Sequence, residues 1–424
     1  MDFSLSSSLV GSAVSNPDKL ALDLQFAADK TLTARKGPTP VFTRASSATF
    51  VGSNGLIQSV GNNVARFDHD PVSLACKGLL IEESRTNLVP RSEEFNDVAW
   101  TPARLVSQPV SNTDISPSGQ LTAEKLVPSL AVGDHRIDRA AVSGLLVGTV
   151  YTVSVFVKAS GYTGFGINVG LSPSPYGATF NLATGSVSST LSGWTASIQA
   201  YPNGWYRCSA TFTFAAGTRL YFVVGSTGTN FSYAGDETSG ILIYGAQFEA
   251  GAFPTSYIPT TTASVIRSAD VCSISGSDFT GMFNQSAGTL ESKAMIANLI
   301  GNLRGITQID DGTNANILRH IYGLSDGGFR SLIRSNSDTI TALSVTLGAA
   351  STIQKRAIAY ESTSFASVTN GGTVSTATRT MPVGLSTLRI GNIAEGSFYL
   401  SGHIASLRYY KKRLPNEKLA SLTV

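Results

Sequence analysis

Apolar and polar residues alternate with a period of two through much of the chain. From Val150 to Ala159, the residues Tyr151, Val153, Val155, Val157 and Ala159 are apolar, with Thr152, Ser154 and Lys158 between them. Trp205 to Phe214 repeats the pattern: Tyr206, Cys208, Ala210, Phe212 and Phe214 face one way, Arg207, Ser209, Thr211 and Thr213 the other. Between Ile241 and Glu249, the residues Leu242, Tyr244, Ala246 and Phe248 form a third series. Successive side chains of a strand point to opposite faces, so each series predicts a half-buried strand with its apolar members inward. Turn-forming stretches such as Ser172-Pro-Ser-Pro-Tyr-Gly177 lie between them. Short antiparallel strands at this spacing predict a jelly roll over residues 87–262.

The same signals continue to the end of the chain. Arg356, Ile358 and Tyr360 alternate with Ala357 and Ala359, His403 to Tyr410 reads as a further strand, and Asn370-Gly371-Gly372 marks a tight turn. Only Leu414 to Leu422 looks helical, with Pro415 in its first turn and Leu414, Leu419 and Leu422 on one face. These features predict a second sandwich over residues 263–424. Pro254 and Pro259 cannot sit in a central strand, so Phe253 to Thr262 reads as an exit strand and linker. Residues 1–86 hold only short strand-like pieces, Leu22 to Phe26 and Ala48 to Val51, and a hairpin loop at Gly52-Ser-Asn-Gly55. Few long apolar runs occur there, which predicts a docking segment without a large core of its own. The expected fold is all-β: a docking segment, 1–86, then two antiparallel sandwiches. No repeat of 20 to 50 residues points to a solenoid or propeller.

Composition narrows the function. Of 424 residues, 41 are Gly and only 14% are charged, against about 25% for an ordinary soluble domain. The polar surface therefore falls to Ser, Thr, Asn and Gly. Net charge is +3 and no basic cluster exceeds Lys411-Lys412-Arg413, so nucleic acid is not an expected partner. No apolar window approaches the length of a membrane span, and Met1-Asp2-Phe3-Ser4 lacks the layout of a secretory signal. Cys76, Cys208 and Cys272 are widely spaced and odd in number, which fits synthesis in a reducing cytoplasm, without a disulfide framework or zinc site. Lysis can still release such a protein to work outside the cell.

Candidate chemistry is sparse. Sugar hydrolysis needs two carboxylates about 5–10 Å apart. The pairs Glu82-Glu83, Glu93-Glu94, Asp236-Glu237 and Asp310-Asp311 are sequence neighbours, and neighbours on a strand point apart. No nucleophile elbow, zinc motif or phosphate loop occurs, so a non-enzyme without cofactor is expected. The most metal-like stretch, Phe67-Asp-His-Asp-Pro71, reads as a turn in which Asp68 or Asp70 accepts bonds from nearby amides. Asp310, Asp311 and Asp326 are the acidic loop residues to inspect for calcium, and no metal site is assigned. His403 reads as a core-edge or interface residue, Trp205 and Tyr206 as core packing or turn anchors, Trp100 as a staple for the preceding turn. Sugar recognition uses an exposed aromatic face with a few polar groups. Tyr176, Trp194 and Tyr201, in Gly/Pro/Ser-rich stretches, are the glycan-contact candidates. The same side chains would also suit covering a sheet or a subunit interface.

Three stretches resemble virion proteins of tailed bacteriophages. Phe42-Thr-Arg-Ala-Ser-Ser-Ala-Thr-Phe50, with Ala65-Arg-Phe-Asp-His-Asp-Pro71 and Gly78-Leu-Leu-Ile-Glu-Glu-Ser-Arg-Thr-Asn-Leu88, is similar to the N-terminal module of their tail, fibre and head-associated proteins. Arg91 to Trp100, Asn203-Gly-Trp-Tyr-Arg-Cys208 and Gly245 to Pro259 resemble their carbohydrate-binding-like jelly roll. Arg389-Ile-Gly-Asn392 and Leu400 to Tyr410 are similar to the closing strands of laminin-G/concanavalin-like lectin sandwiches. The resemblance implies a structural protein of the virion surface, commonly a homotrimer, that meets other virion proteins through residues 1–86 and is made in the host cytoplasm. It carries neither coiled-coil heptads nor a triple-stranded shaft. That favours a short tail fibre or surface projection contacting a host-surface glycan or receptor. The other function it implies is a capsid or tail decoration with a purely structural role.

Overall fold

The computed structural model describes residues 19–140, 142–296, 303–323, 328–338, 341–347, 352–394 and 398–424. The protein is an all-β chain of two antiparallel sandwiches. In the middle sandwich one sheet runs Trp194–Ala200, Trp205–Thr213, Val150–Ser160, Gly240–Ala250, Leu121–Leu126, Val110–Ile115. The other runs Ser186–Thr190, Ala178–Asn181, Gly164–Gly170, Arg219–Gly225, His135–Arg139, Trp100–Ala103. Val153, Val155, Val157, Cys208, Ala210 and Phe212 from the first sheet meet Phe165, Ile167, Phe180 and Phe222 from the second. Each Val, Ile or Phe among them contributes about 1.5–3 kcal/mol through burial. Trp100 stacks between Phe95 and Phe222 and donates its indole N–H to the Arg91 carbonyl at 3.0 Å, so it does fasten the acidic turn to the core.

Two expectations for this sandwich need correction. Val150–Ser160 is buried on both faces: Thr152, Ser154 and Phe156, like Tyr151 and Val153, are at most 2% exposed. The face expected to meet solvent is covered by Val51 and Ile57 of an N-terminal hairpin and by Tyr257, and the apolar Phe156 among polar neighbours was the sign of it. In Gly240–Ala250 the inward series is split. Ala246 and Phe248 enter the core, together with Ile241 and Ile243, whereas Leu242 and Tyr244 face the opposite way. The register shifts between the pairs Ser154 with Gln247 and Phe156 with Tyr244, and Gly245 sits there with φ +64°. This is a β-bulge, and its extra residue reverses the facing of everything before it.

The second sandwich is built from both ends of the chain. One sheet runs Ser375–Thr378, Ser364–Thr369, Gln354–Glu361, Ala287–Ile296, Gly402–Tyr410, Cys76–Ile81, Phe67–His69. The opposing sheet runs Val41–Thr43, Val271–Ser275, Thr387–Ile390, Arg304–Asp310, Ile317–Tyr322, Gly328–Arg334, Thr341–Leu347. The free edge of Gly402–Tyr410 is shared: Leu79, Leu80 and Ile81 pair with its first residues, and Leu20–Leu24 pairs with its last. The helix Asn416–Leu422 lays Leu419 over Ala357, Ala359, Ala366 and Val368, as its apolar spacing suggested.

The expected docking segment is thereby redrawn. Residues 1–18 lie outside the described residues. Residues 19–86 add their strands to this chain's own C-terminal sandwich, where Leu22, Leu24, Phe26, Phe42, Leu79 and Ile81 are part of the core. Val41–Thr43 and Phe67–His69 lie at the ends of the two sheets, each paired with another strand on one side only.

Where the two sandwiches meet, five charges are buried together. Asp270 accepts from Arg44 at 3.1 Å and Arg66 at 2.6 Å, and Arg66 also reaches Glu82 at 2.8 Å. Arg267 lies 3.6 Å from Glu82. Asp270 takes the Glu82 backbone N–H as well, at 2.8 Å. Against the opposing effect of burial, the charges of Arg267 and Arg66 lower the Glu82 carboxyl to about 2. Replacing one member of such a group leaves an uncompensated charge in the interior, typically costing about 3–5 kcal/mol. Asp270→Ala is expected to lower the unfolding free energy of the full chain by that much in denaturant titration; a loss below about 1 kcal/mol would show that the network contributes little.

Candidate functional site

The loop 171–177 returns to the outer face of the second sheet of the middle sandwich and places Tyr176, half-buried, over Phe231 at 4.8 Å between ring centroids. Phe231 lies in turn on Tyr221 and Val223 of the strand Arg219–Gly225. Beside these rings runs a groove of about 410 Å³ with walls formed by Thr179, Ser188, Ser189, Thr229, Asn230 and Ser232. Thr179 and Ser189 hydrogen-bond each other at 2.8 Å across adjacent strands. No residue lining this groove carries a charge. Burial raises the pKa of the Tyr176 hydroxyl, so it stays protonated at neutral pH and able to donate.

The other two aromatic candidates are used differently. Trp194 opens a strand instead of sitting in a loop, and its ring stacks on Phe212 at 4.1 Å and 14°. Its other neighbour is Gly177, where a Cβ would approach the indole to 2.3 Å. Trp194 thus covers the edge of the core one residue from Tyr176, with one ring face already committed. Tyr201 is a correction: it is only 7% exposed and makes a T-shaped contact with Phe156 at 5.1 Å. Burial pushes its hydroxyl up to about 12. The extended Tyr201, followed by Pro202 and the left-handed Asn203, turns inward because Phe156, Val51 and Tyr257 supply a surface to pack on.

That surface is the junction between the sandwiches. Tyr201, Trp205, Phe156, Tyr244 and Tyr257 form an apolar cluster with Val51 from the hairpin of Ala48–Val51 and Ile57–Val60. Trp205 donates its indole N–H to the Ile115 carbonyl at 3.0 Å. The expected linker supplies Tyr257 and Ile258 to the interior, and Asn87 bonds the carbonyls of Ala246 and Ile258. Beside the cluster opens a cleft of about 160 Å³ lined by residues of both sandwiches, including Asp68, Lys77, Gln199, Arg207 and His403. His403 donates from Nε2 to Asp68 at 2.8 Å, Lys77 pairs with the same carboxylate, and Asp68 accepts the Val51 N–H at 2.7 Å. Against burial, the hydrogen bond and charge of His403 and the charge of Lys77 hold Asp68 well below the ordinary carboxylate range. Burial and the charge of Lys77 lower His403. His403 is therefore an interface residue, and its partner lies in the stretch that looked most metal-like.

The remaining acidic candidates are engaged in structural bonds. Asp70 accepts the N–H groups of Val72 and Ser73, as an Asx turn requires. Glu82 belongs to the buried network, Glu83 pairs with Arg85, and Asp310 pairs with Arg389 at 2.8 Å. Asp311 binds Thr313 and Asn316, and Asp326 lies outside the described residues. Among the described residues no three His, Cys, Asp or Glu side chains group as metal ligands. Glu93 accepts both Tyr244 and Tyr257 hydroxyls, at 2.9 and 3.0 Å. Cys208 is fully buried in apolar surroundings, which push its thiol pKa up.

No family model matches the chain, and no curated protein matches it. Among solved structures, the CBM40 module of the Ruminococcus gnavus IT-sialidase is similar over 33% of this chain and 84% of its own, at 12% identity and a TM-score of 0.29. The CBM22-1–CBM22-2 tandem domain of Paenibacillus barcinonensis Xyn10C covers 80% of this chain and 99% of its own, at 9% identity and 0.26. Domains LG4-5 of the mouse laminin α1 chain cover 68% and 88%, at 11% identity and 0.23. These are likenesses of β-sandwich architecture.

Two outcomes test this description. Truncating Tyr201 to Ala removes a ring from the closed junction and is expected to cost about 3–5 kcal/mol, whereas Tyr176→Ala is expected to cost less than about 1 kcal/mol, both measured by chemical denaturation. Glu124, which no sequence signal singled out, is 4% exposed and carries an Oε2 without a hydrogen-bond partner among the described residues. Burial raises its pKa from 4.5 to about 8. The folded state then holds this proton more tightly than the unfolded chain, so its stabilising contribution is full below the ordinary value and lost as pH rises toward the raised one. Glu124→Gln should raise Tm more at pH 8.5 than at pH 5; equal shifts at the two pH values would refute the assignment.

Proposed function

We propose that the chain is a non-catalytic surface protein of a tailed-phage particle, a short projection whose middle sandwich grips glycans on the host surface. The phage assignment rests on the three sequence stretches that resemble virion proteins. The glycan assignment rests on one observation: Tyr176 forms an aromatic shelf beside a groove lined by uncharged hydroxyl and amide groups. A sugar ring presents an apolar face to such a shelf, and its hydroxyls exchange hydrogen bonds with Ser, Thr and Asn. A shallow site of this kind binds weakly. Assembly into a homotrimer, as the resemblance implies, would raise its effective affinity without new contacts. Since the strands of 19–86 are built into this chain's own sandwich, attachment to other virion proteins would use the surface they leave exposed.

The test uses the full chain and Tyr176→Ala on an array of neutral host-surface glycans. Wild type is expected to bind at least one structure, and the variant to lose at least about tenfold in signal with Tm unchanged. Absence of binding by the wild-type oligomer, with normal adsorption of particles lacking the protein, would favour the ligand-free decoration role.

A further inference from the structure

We propose that the cleft at the junction of the two sandwiches is a second ligand site, which takes one acidic sugar unit with its carboxylate on Arg207. This site is separate from the Tyr176 shelf and does not depend on it. The cleft volume is about 160 Å³, the space of roughly five waters at about 30 Å³ each, and thus of the order of one pyranose ring. Its walls pair aromatic surface with polar groups. Phe50 is half-buried in the lining, with Phe156 and Phe253 more deeply enclosed, while Gln199 and Ser401 offer hydrogen bonds. An apolar wall with a few fixed polar groups is the usual make-up of a small-ligand site.

The charge of the ligand follows from which groups are already satisfied. Asp68 is saturated by His403, Lys77 and the Val51 N–H. Glu82 is saturated by Arg66 and by the Ser256 N–H and hydroxyl. Both carboxylates already have cationic partners, Lys77 for Asp68 and Arg66 for Glu82, so neither calls for a further cation. Arg207 differs. It is 9% exposed, yet no carboxylate lies within ion-pair range of it among the described residues. Its Nη2 donates to the Ser154 hydroxyl at 3.0 Å, the guanidinium also hydrogen-bonds the Tyr201 hydroxyl and lies 5.4 Å from the Phe156 ring centroid, and its Nε has no partner among the described residues. A buried guanidinium without an anion is costly, and a ligand carboxylate would complete it through a charge-assisted hydrogen bond. Neutral sugars would leave that charge unmatched, so the cleft should discriminate between a uronic acid and its neutral parent.

The experiment compares D-glucuronate and D-galacturonate with D-glucose and D-galactose, using saturation-transfer NMR and calorimetry on the full chain at low ionic strength. One or both acids should bind at least about tenfold more tightly than their neutral counterparts. Arg207→Met should abolish that preference, and Phe50→Ala, at a half-exposed position, should weaken acid binding while leaving Tm nearly unchanged. Tyr176→Ala should have no effect on it, so that failure of the shelf and failure of the cleft are read separately. If neither acid binds, or if Phe50→Ala and a folded Arg207→Met bind the acids as wild type does, the cleft is a water-filled gap in the junction and the proposal is overturned.

Discussion

Charged side chains taken out of water must be matched, and the junction of this molecule is built around that requirement. Asp270 sits where Arg44, Arg66 and the backbone of Glu82 converge, and none of these groups is placed to find water instead. Removing any of them leaves a charge in a medium of low polarisability, so the three chain segments that supply them are held to one arrangement. The network extends to the crossing segment Phe253 to Thr262 as well, because Arg66 and Glu82 both bond Ser256. Stretches of the chain almost two hundred residues apart are thus fixed by a handful of directional bonds. The apolar cluster of Tyr201, Trp205, Phe156 and Tyr257 packs alongside. Apolar packing alone would be non-directional and would tolerate sliding; the ion network supplies the register.

The low charge of the chain takes on a different meaning once these groups are located. Several of its few arginines and carboxylates are consumed in the interior, so the outer surface is poorer in charge than composition alone implied. What remains outside the core near Tyr176 is hydroxyl and amide. A surface of that kind exchanges hydrogen bonds with hydrated neutral groups and gives little long-range steering. The junction cleft is the opposite case, a confined space where a single guanidinium lacks its anion.

Much of the architecture was legible because strand periodicity is a local signal. The alternation at Val150 to Ala159 and Trp205 to Phe214, the turn at Asn370-Gly371 and the helix after Pro415 all reappear with the expected inward residues. What local pattern cannot express is which face a distant segment will cover. Tyr201 looked like a loop aromatic because the residues that bury it come from 48–57 and 253–258. Phe253 to Thr262 looked like a linker because two prolines bar it from a sheet, yet its side chains close the interior. The bulge at Gly245 reversed the facing of Leu242 and Tyr244 through one extra residue, which alternation by itself does not reveal. Residues 19–86 failed to show a core for a related reason: their strands complete a sheet whose remainder lies more than two hundred residues later.

The discontinuity of the second sandwich bears on how the cleft would perform as a site. Its lining comes from the N-terminal hairpin, the shared edge of Gly402–Tyr410, the outer face of the middle sandwich and the crossing segment. If these were independent domains on a flexible linker, ordering them around a ligand would consume much of the binding energy. The ion network and the Asn87 bonds to the carbonyls of Ala246 and Ile258 have already fixed them during folding. A small ligand then meets preorganised walls, and the few contacts available to one sugar ring can translate into affinity. The same rigidity explains why a cleft of only 160 Å³ need not collapse: closing it would require moving elements whose buried charges have no alternative partners.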